Sequence, residues 1–99
     1  MAGNKFKELL QGSTPVLVDF YATWCGPCKQ MSPILEQFKK EIGEGVKVVK
    51  IDVDRNQNAA ASFQVRGVPT LILFKNGSPV WRQSGVVSVQ QLKSVLENN

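Results

Sequence analysis

"VLVDFYATWCGPCKQMSPILEQF" occupies residues 16–38, and two elements can be read in it. Its first seven residues, 16–22, form an apolar run of β-branched and aromatic side chains broken by one carboxylate, Asp19. A run of that length and make-up predicts a strand buried on both faces. Further on, Met31, Ile34, Leu35, Phe38 and then Ile42 fall on one stripe at helical spacing, which predicts a long helix over 26–42. Gly43 and Gly45 should end it. Pro33 lies inside, where a lost hydrogen bond and a steric clash cost about 3 kcal/mol or more, so a kink is expected. Both cysteines of the chain, Cys25 and Cys28, sit where strand hands over to helix.

The flanking chain extends this pattern. "NKFKELLQ" (4–11) puts Phe6, Leu9 and Leu10 on one side of a short helix, which "GST" and Pro15 break. "VKVVKIDVD" (46–54) alternates, with Val49, Ile51 and Val53 on one side of a second strand. "RNQNAAASFQ" (55–64) reads as a short helix, "VRGVP" (65–69) as a breaker, and "TLILF" (70–74) as a third strand. Asn76-Gly77 suits a type I′ hairpin turn, because both residues tolerate positive φ, so "PVWRQS" (79–84) becomes the antiparallel partner. Ser88 and Gln91 form a capping box ahead of Val89, Leu92, Val95 and Leu96, a closing helix. Strands 16–22 and 46–54, joined through a helix, should be parallel with a right-handed crossover. The expected architecture is α/β, one domain over residues 1–99, with a mixed four-stranded sheet flanked by helices on both faces.

Bulk properties narrow the function. Ninety-nine residues with 42% hydrophobic content suffice for a core without staples. No apolar run approaches the roughly 20 residues of a membrane span. Residues 1–12 lack the apolar centre of a signal peptide. The chain is therefore expected in the cytoplasm, unless a leader preceded this numbering. The net charge of +4 comes from lysines spread along the chain, with no basic stripe interleaved with aromatics, which argues against nucleic acid. There is no histidine, which removes Cys–His and Ser–His–Asp catalysis.

Three uses of the cysteine pair compete. A static disulfide would close a very short loop and gain little chain entropy. A zinc site wants four ligands, and two cysteines without histidine would need a second chain or carboxylates to complete it. A redox pair fits the location best. Cys25, at or just before the helix start, would face unsatisfied N–H groups and the positive end of the dipole, which lower a thiol's pKa. Cys28, one turn in and more covered, could then resolve a mixed disulfide. Gly26 would permit the tight turn and Pro27 would fit the first helical turn, where a missing N–H costs little. Trp24, in a turn, reads as an exposed apolar contact. Asp19 is expensive in a buried strand unless paired or protonated. Lys50, taken alone, is a snorkelling surface lysine.

"WCGPC" after "VDFYAT", with "GVPT" and "LFKNG" downstream, resembles the thioredoxin family over residues 4–98. The resemblance implies the fold described above and a protein-disulfide reductase. In that function Cys25 is the attacking thiolate and Cys28 the resolving thiol. Asp19 lies beneath the second cysteine as its acid/base, and Lys50 tunes Asp19. It also implies a cis bond before Pro69, packed against the cysteines, and a docking surface made of Trp24, Gly67, Val68, Pro69 and Gly85. Pro33 matches a structural kink proline. No bound cofactor is implied: the working group is the Cys25–Cys28 disulfide, reset by thioredoxin reductase with NADPH. Protein disulfides would be the substrates.

Two departures stand out. Tyr21 occupies a place where many members carry tryptophan. The N-terminus looks too short for the extra strand that members place beside 46–54, so that strand is expected on an exposed edge. Exposed edges invite pairing with another chain, but this one carries lysines and aspartates. A monomer with a weak tendency to dimerise is expected. A binding subunit without redox turnover, and a metal or iron–sulfur site shared by two chains, are the competing functions.

Overall fold

The computed structural model of the protein describes residues 7–99. Strand β1, Val16–Tyr21, is buried except for a half-buried Tyr21. It pairs in parallel with β2, Lys47–Asp52, and antiparallel with β3, Thr70–Lys75. β3 pairs antiparallel with β4, Ser78–Ser84. The order β2-β1-β3-β4 makes the expected mixed four-stranded sheet and leaves β2 at an edge among the described residues. Beside the sheet lie the helices α1, Gly26–Ile42; α2, Gln57–Ser62; and α3, Val89–Asn98.

The two-residue period of the strands sorts their side chains between two cores. On one face Leu17, Val46, Leu71 and Leu73 meet Met31, Leu35 and Phe38 of α1 and Leu92 of α3. On the other, Val16, Val18, Phe20, Ile72 and Phe74 pack with Leu10, Ile51 and the end of α2 through Phe63 and Val65. Phe63 stands edge-on to Phe74, ring centroids 5.2 Å apart. Asp19, two residues after Leu17, therefore belongs to the face that α1 covers.

The elements are shorter than the periodicity suggested where side chains bend the backbone. Strand 46–54 stops at Asp52 because the Asp52 carboxylate accepts the Asp54 N–H at 2.9 Å, an Asx-type turn. The Asn56 N–H reaches the Asp52 carbonyl at 3.0 Å, and α2 starts only after it. Asn76 and Gly77 have φ of 52° and 83°, as the type I′ hairpin requires. The capping box forms by half. The Ser88 hydroxyl accepts the Gln91 N–H at 3.1 Å, but the Gln91 side chain donates to Gln83 on β4, also at 3.1 Å, instead of returning to Ser88. α1 runs unbroken through Pro33 to a cap at Gly43. Pro33 and Lys29, whose carbonyl loses its partner, are both exposed, so water can replace the bond. Residues 7–10 are helical, with Leu10 buried and Leu9 exposed. The expectations placed on Phe6 and on residues 1–3 lie outside the described residues.

Candidate active site

The site begins where β1 runs out. After Tyr21 the chain turns, and the Cys25 N–H donates to the Ala22 carbonyl at 3.2 Å. The turn lifts Trp24 into solvent, 69% exposed, and tucks Cys25 beneath the surface. Cys25 is the N-cap of α1: its backbone is extended (φ −89°, ψ 116°) and its Sγ accepts the Cys28 N–H at 3.1 Å. An N-cap is normally filled by a side-chain oxygen that satisfies an orphan N–H. Here a sulfur takes that place, and the same N–H would stabilise a thiolate. The first turn of α1 carries no acidic residue to oppose that charge.

Cys25 and Cys28 are joined as a disulfide, with Cα atoms 5.3 Å apart. The expected contrast in cover between them is absent, since each is 4% exposed. Both belong to one small cluster with Ala22, against which Tyr21, Val53 and Val68 pack. The reading of Gly26 also needs correction. It is the first residue of α1, outside the left-handed region, and a Cβ built there would meet nothing within 4 Å. The turn does not need glycine, and the missing side chain simply leaves open space at the start of the helix. Pro27 occupies the first helical turn, where its missing N–H goes unneeded.

A second segment reaches the disulfide from far along the chain. The Val68–Pro69 bond is cis, and the Val68 carbonyl oxygen lies 3.6 Å from Cys25 Sγ. The Gly67 carbonyl accepts from the Thr70 hydroxyl at 2.6 Å, and the Pro69 carbonyl accepts the Gly85 N–H at 2.8 Å. Gly85 has φ of +94°, where a side chain would be strained. A shallow cleft of about 130 Å³ opens between this segment and Trp24, lined also by Val53, Val65 and Arg66. The structure thus sets Trp24, Gly67 and Val68 around one cleft beside Cys25, with Pro69 buried behind them and Gly85 bonded to it.

One participant escaped the sequence reading. The Trp24 indole N–H donates to the Asp54 carboxylate at 2.9 Å, which tethers an otherwise exposed ring. Thirty positions separate the two, and no local pattern connects them.

Asp19 has no exposed surface, and neither carboxylate oxygen finds a hydrogen-bond partner among the described residues. Burial pushes its pKa from 3.8 up to about 6, and the charge of Lys50 holds it back from rising further. Lys50 is the register partner of Asp19 on β2. Its ammonium does not bond the carboxylate. It donates to the Ser32 hydroxyl at 2.8 Å and lies 5.1 Å from the centroid of the Tyr21 ring. Lys50→Met should therefore raise the Asp19 pKa above about 6. Carbon-detected NMR titration of the carboxyl checks this, and an unchanged midpoint would remove Lys50 from the site.

Comparison with known proteins agrees with the geometry. The family model described as Thioredoxin matches residues 1–98. The chain belongs to the thioredoxin family. It is 52% identical over 93 residues to a thioredoxin-like protein of Synechocystis, covering 93% of this chain and 89% of that one. It is 45% identical over 91 residues to a thioredoxin of Alicyclobacillus acidocaldarius, covering 92% and 87%. A mutant thioredoxin from Halobacterium salinarum superposes with a TM-score of 0.87 at 39% identity, over 96% of this chain and 82% of that one. The fold is the thioredoxin fold, and the Cys25–Cys28 pair makes the chain a thioredoxin-type dithiol–disulfide oxidoreductase. No helix among the described residues is long and apolar enough to cross a membrane.

Proposed function

We propose that this chain is a general protein-disulfide reductase, re-reduced by a thioredoxin reductase that draws on NADPH. The observation that carries the reading is the setting of Cys25 Sγ. A backbone N–H of α1 points at it, and the Val68 carbonyl lies 3.6 Å away at the end of a segment with a free cleft beside it. In the reduced chain the Cys25 thiolate attacks one sulfur of a substrate disulfide. A mixed disulfide forms and the other substrate sulfur leaves as a thiolate. Cys28, losing its proton to Asp19, then attacks Cys25 Sγ. The Cys25–Cys28 disulfide closes, and the second substrate sulfur leaves. Two electrons pass from the dithiol to the substrate, and the reductase returns them; the chain itself needs no bound cofactor.

In this scheme an extended stretch of the substrate docks against Gly67, Val68, Pro69 and Gly85, with Trp24 flanking the cysteine. Lys50 tunes Asp19. A chain whose two cysteines are the working pair suits a reducing compartment, and the cytoplasm is where it would serve.

Two measurements test the reading. The chain should accelerate reduction of insulin disulfides by dithiothreitol, and should couple NADPH oxidation to insulin reduction when a thioredoxin reductase is added. Equilibration of the pair against glutathione should give a reducing potential, near the value of about −270 mV characteristic of thioredoxins. A value near about −120 mV would instead make it a disulfide-forming oxidant.

A further inference from the structure

The docking segment, residues 65–69, is launched from the C-terminus of α2, and that terminus is closed in an unusual way. The Val65 N–H returns to the Ala60 carbonyl at 2.9 Å and the Gln64 N–H to Ala61 at 3.0 Å, the two bonds of a Schellman closure. The left-handed residue such a closure needs is normally glycine. Here it is Gln64, at φ +54°, a conformation that side chains disfavour. Such a conformation persists only where its surroundings hold it.

Arg82 of β4 supplies the hold. Its Nη2 donates to the Gln64 carbonyl at 2.7 Å and its Nη1 to the Phe63 carbonyl. Arg82 stands opposite Ile72, on the sheet face where Phe63 and Val65 pack. A guanidinium is a rigid planar fork, so two donors on successive carbonyls fix orientation as well as distance. Its charge also suits the negative end of a helix. The end of the same strand and the glycine after it secure the other end of the segment: the Ser84 hydroxyl lies 3.1 Å from that of Thr70, and the Gly85 N–H reaches the Pro69 carbonyl. β4 thus grips the docking segment at both ends.

We infer that Arg82 is a positioning residue, whose fork on the Phe63 and Gln64 carbonyls fixes how residues 65–68 lie beside Cys25 and thereby sets affinity for extended protein substrates. The inference rests on the docking reading of Gly67 and Val68 given above. Arg82 is exposed and far from the sulfur chemistry in sequence, so its removal should leave the fold and the reactivity of the dithiol intact.

Arg82→Gln and Arg82→Lys should be compared with the unsubstituted chain in NADPH-coupled reduction of insulin, and of the small disulfide dithiobis(nitrobenzoate). Losing both carbonyl bonds in Arg82→Gln should raise KM for insulin roughly five- to tenfold. The kcat and the rate with the small disulfide should stay within about twofold. Arg82→Lys, which keeps the charge and one donor line, should fall between. An unchanged KM for insulin in Arg82→Gln would overturn the inference. So would equal losses with insulin and with the small disulfide, since these would mark a general structural defect. Failure of the docking reading itself would look different: Val68→Pro, which removes the N–H an extended peptide would pair with, would leave insulin KM unchanged.

Discussion

Cys28→Ser should turn the catalyst into a trap. With Cys25 still at the N-cap and the residue 28 N–H still directed at its sulfur, attack on a substrate disulfide proceeds, but nothing resolves the product. A stable mixed disulfide with insulin should accumulate, visible as a mass adduct that dithiothreitol removes. Cys25→Ser should show no adduct and should lose insulin reduction by a factor of roughly 10³ or more, because the two sulfurs act as a unit. The asymmetry does not come from burial, since both cysteines are 4% exposed. It comes from the hydrogen bond: Cys25 Sγ accepts a backbone N–H at the helix start. Adducts on Cys25→Ser but not on Cys28→Ser would reverse the assignment. Activity surviving in Cys25→Ser would abandon the redox reading.

Asp19→Asn should change how stability depends on pH. The carboxyl titrates near 6 in the folded chain, against 3.8 when free, because burial disfavours its charge. Between those values the folded state keeps a proton that the unfolded chain has released. Unfolding then releases a proton, so stability falls as pH rises through this window and levels off above it. The full loss is about 3 kcal/mol. The amide of the variant carries no such charge, so the variant should lack the slope. The difference in unfolding free energy between variant and native chain, from urea titrations of the oxidised protein, should therefore shift in the variant's favour by about 2.5 kcal/mol from pH 4 to pH 8, the remainder of the loss falling below pH 4. Parallel curves would mean that Asp19 is not the group. In turnover, the same substitution should slow resolution of the mixed disulfide more than its formation, and equal slowing of both steps would count against an acid/base role.

Asp19 shows how far the primary structure could be read. A single carboxylate inside "VLVDFYA" announces its own cost, because charge in a doubly covered strand is expensive wherever the strand lies. The strand, the long helix and the type I′ hairpin were legible for similar reasons, each encoded in side-chain period or in residues that tolerate positive φ. The boundaries at Asp52 and Asn56 were not, because a side chain bonding its own backbone ended the strand where alternation still continued. The capping box was read in full and formed by half, since Gln91 found a partner on β4 that lies close only in the folded chain. Gly26 carried a conformational meaning that its ordinary helical backbone does not need.

The chain alone therefore determined the elements, their order and the presence of a reactive dithiol at the start of a helix, since these depend on neighbours within a few positions. The tertiary structure decided what the dithiol meets. The Val68 carbonyl comes 43 residues along the chain from Cys25, Asp54 comes 30 from the Trp24 it tethers, and Arg82 comes 18 from the Gln64 carbonyl it grips. Such contacts depend on sheet order and register, which place distant segments a few ångströms apart and leave no periodic trace in the sequence.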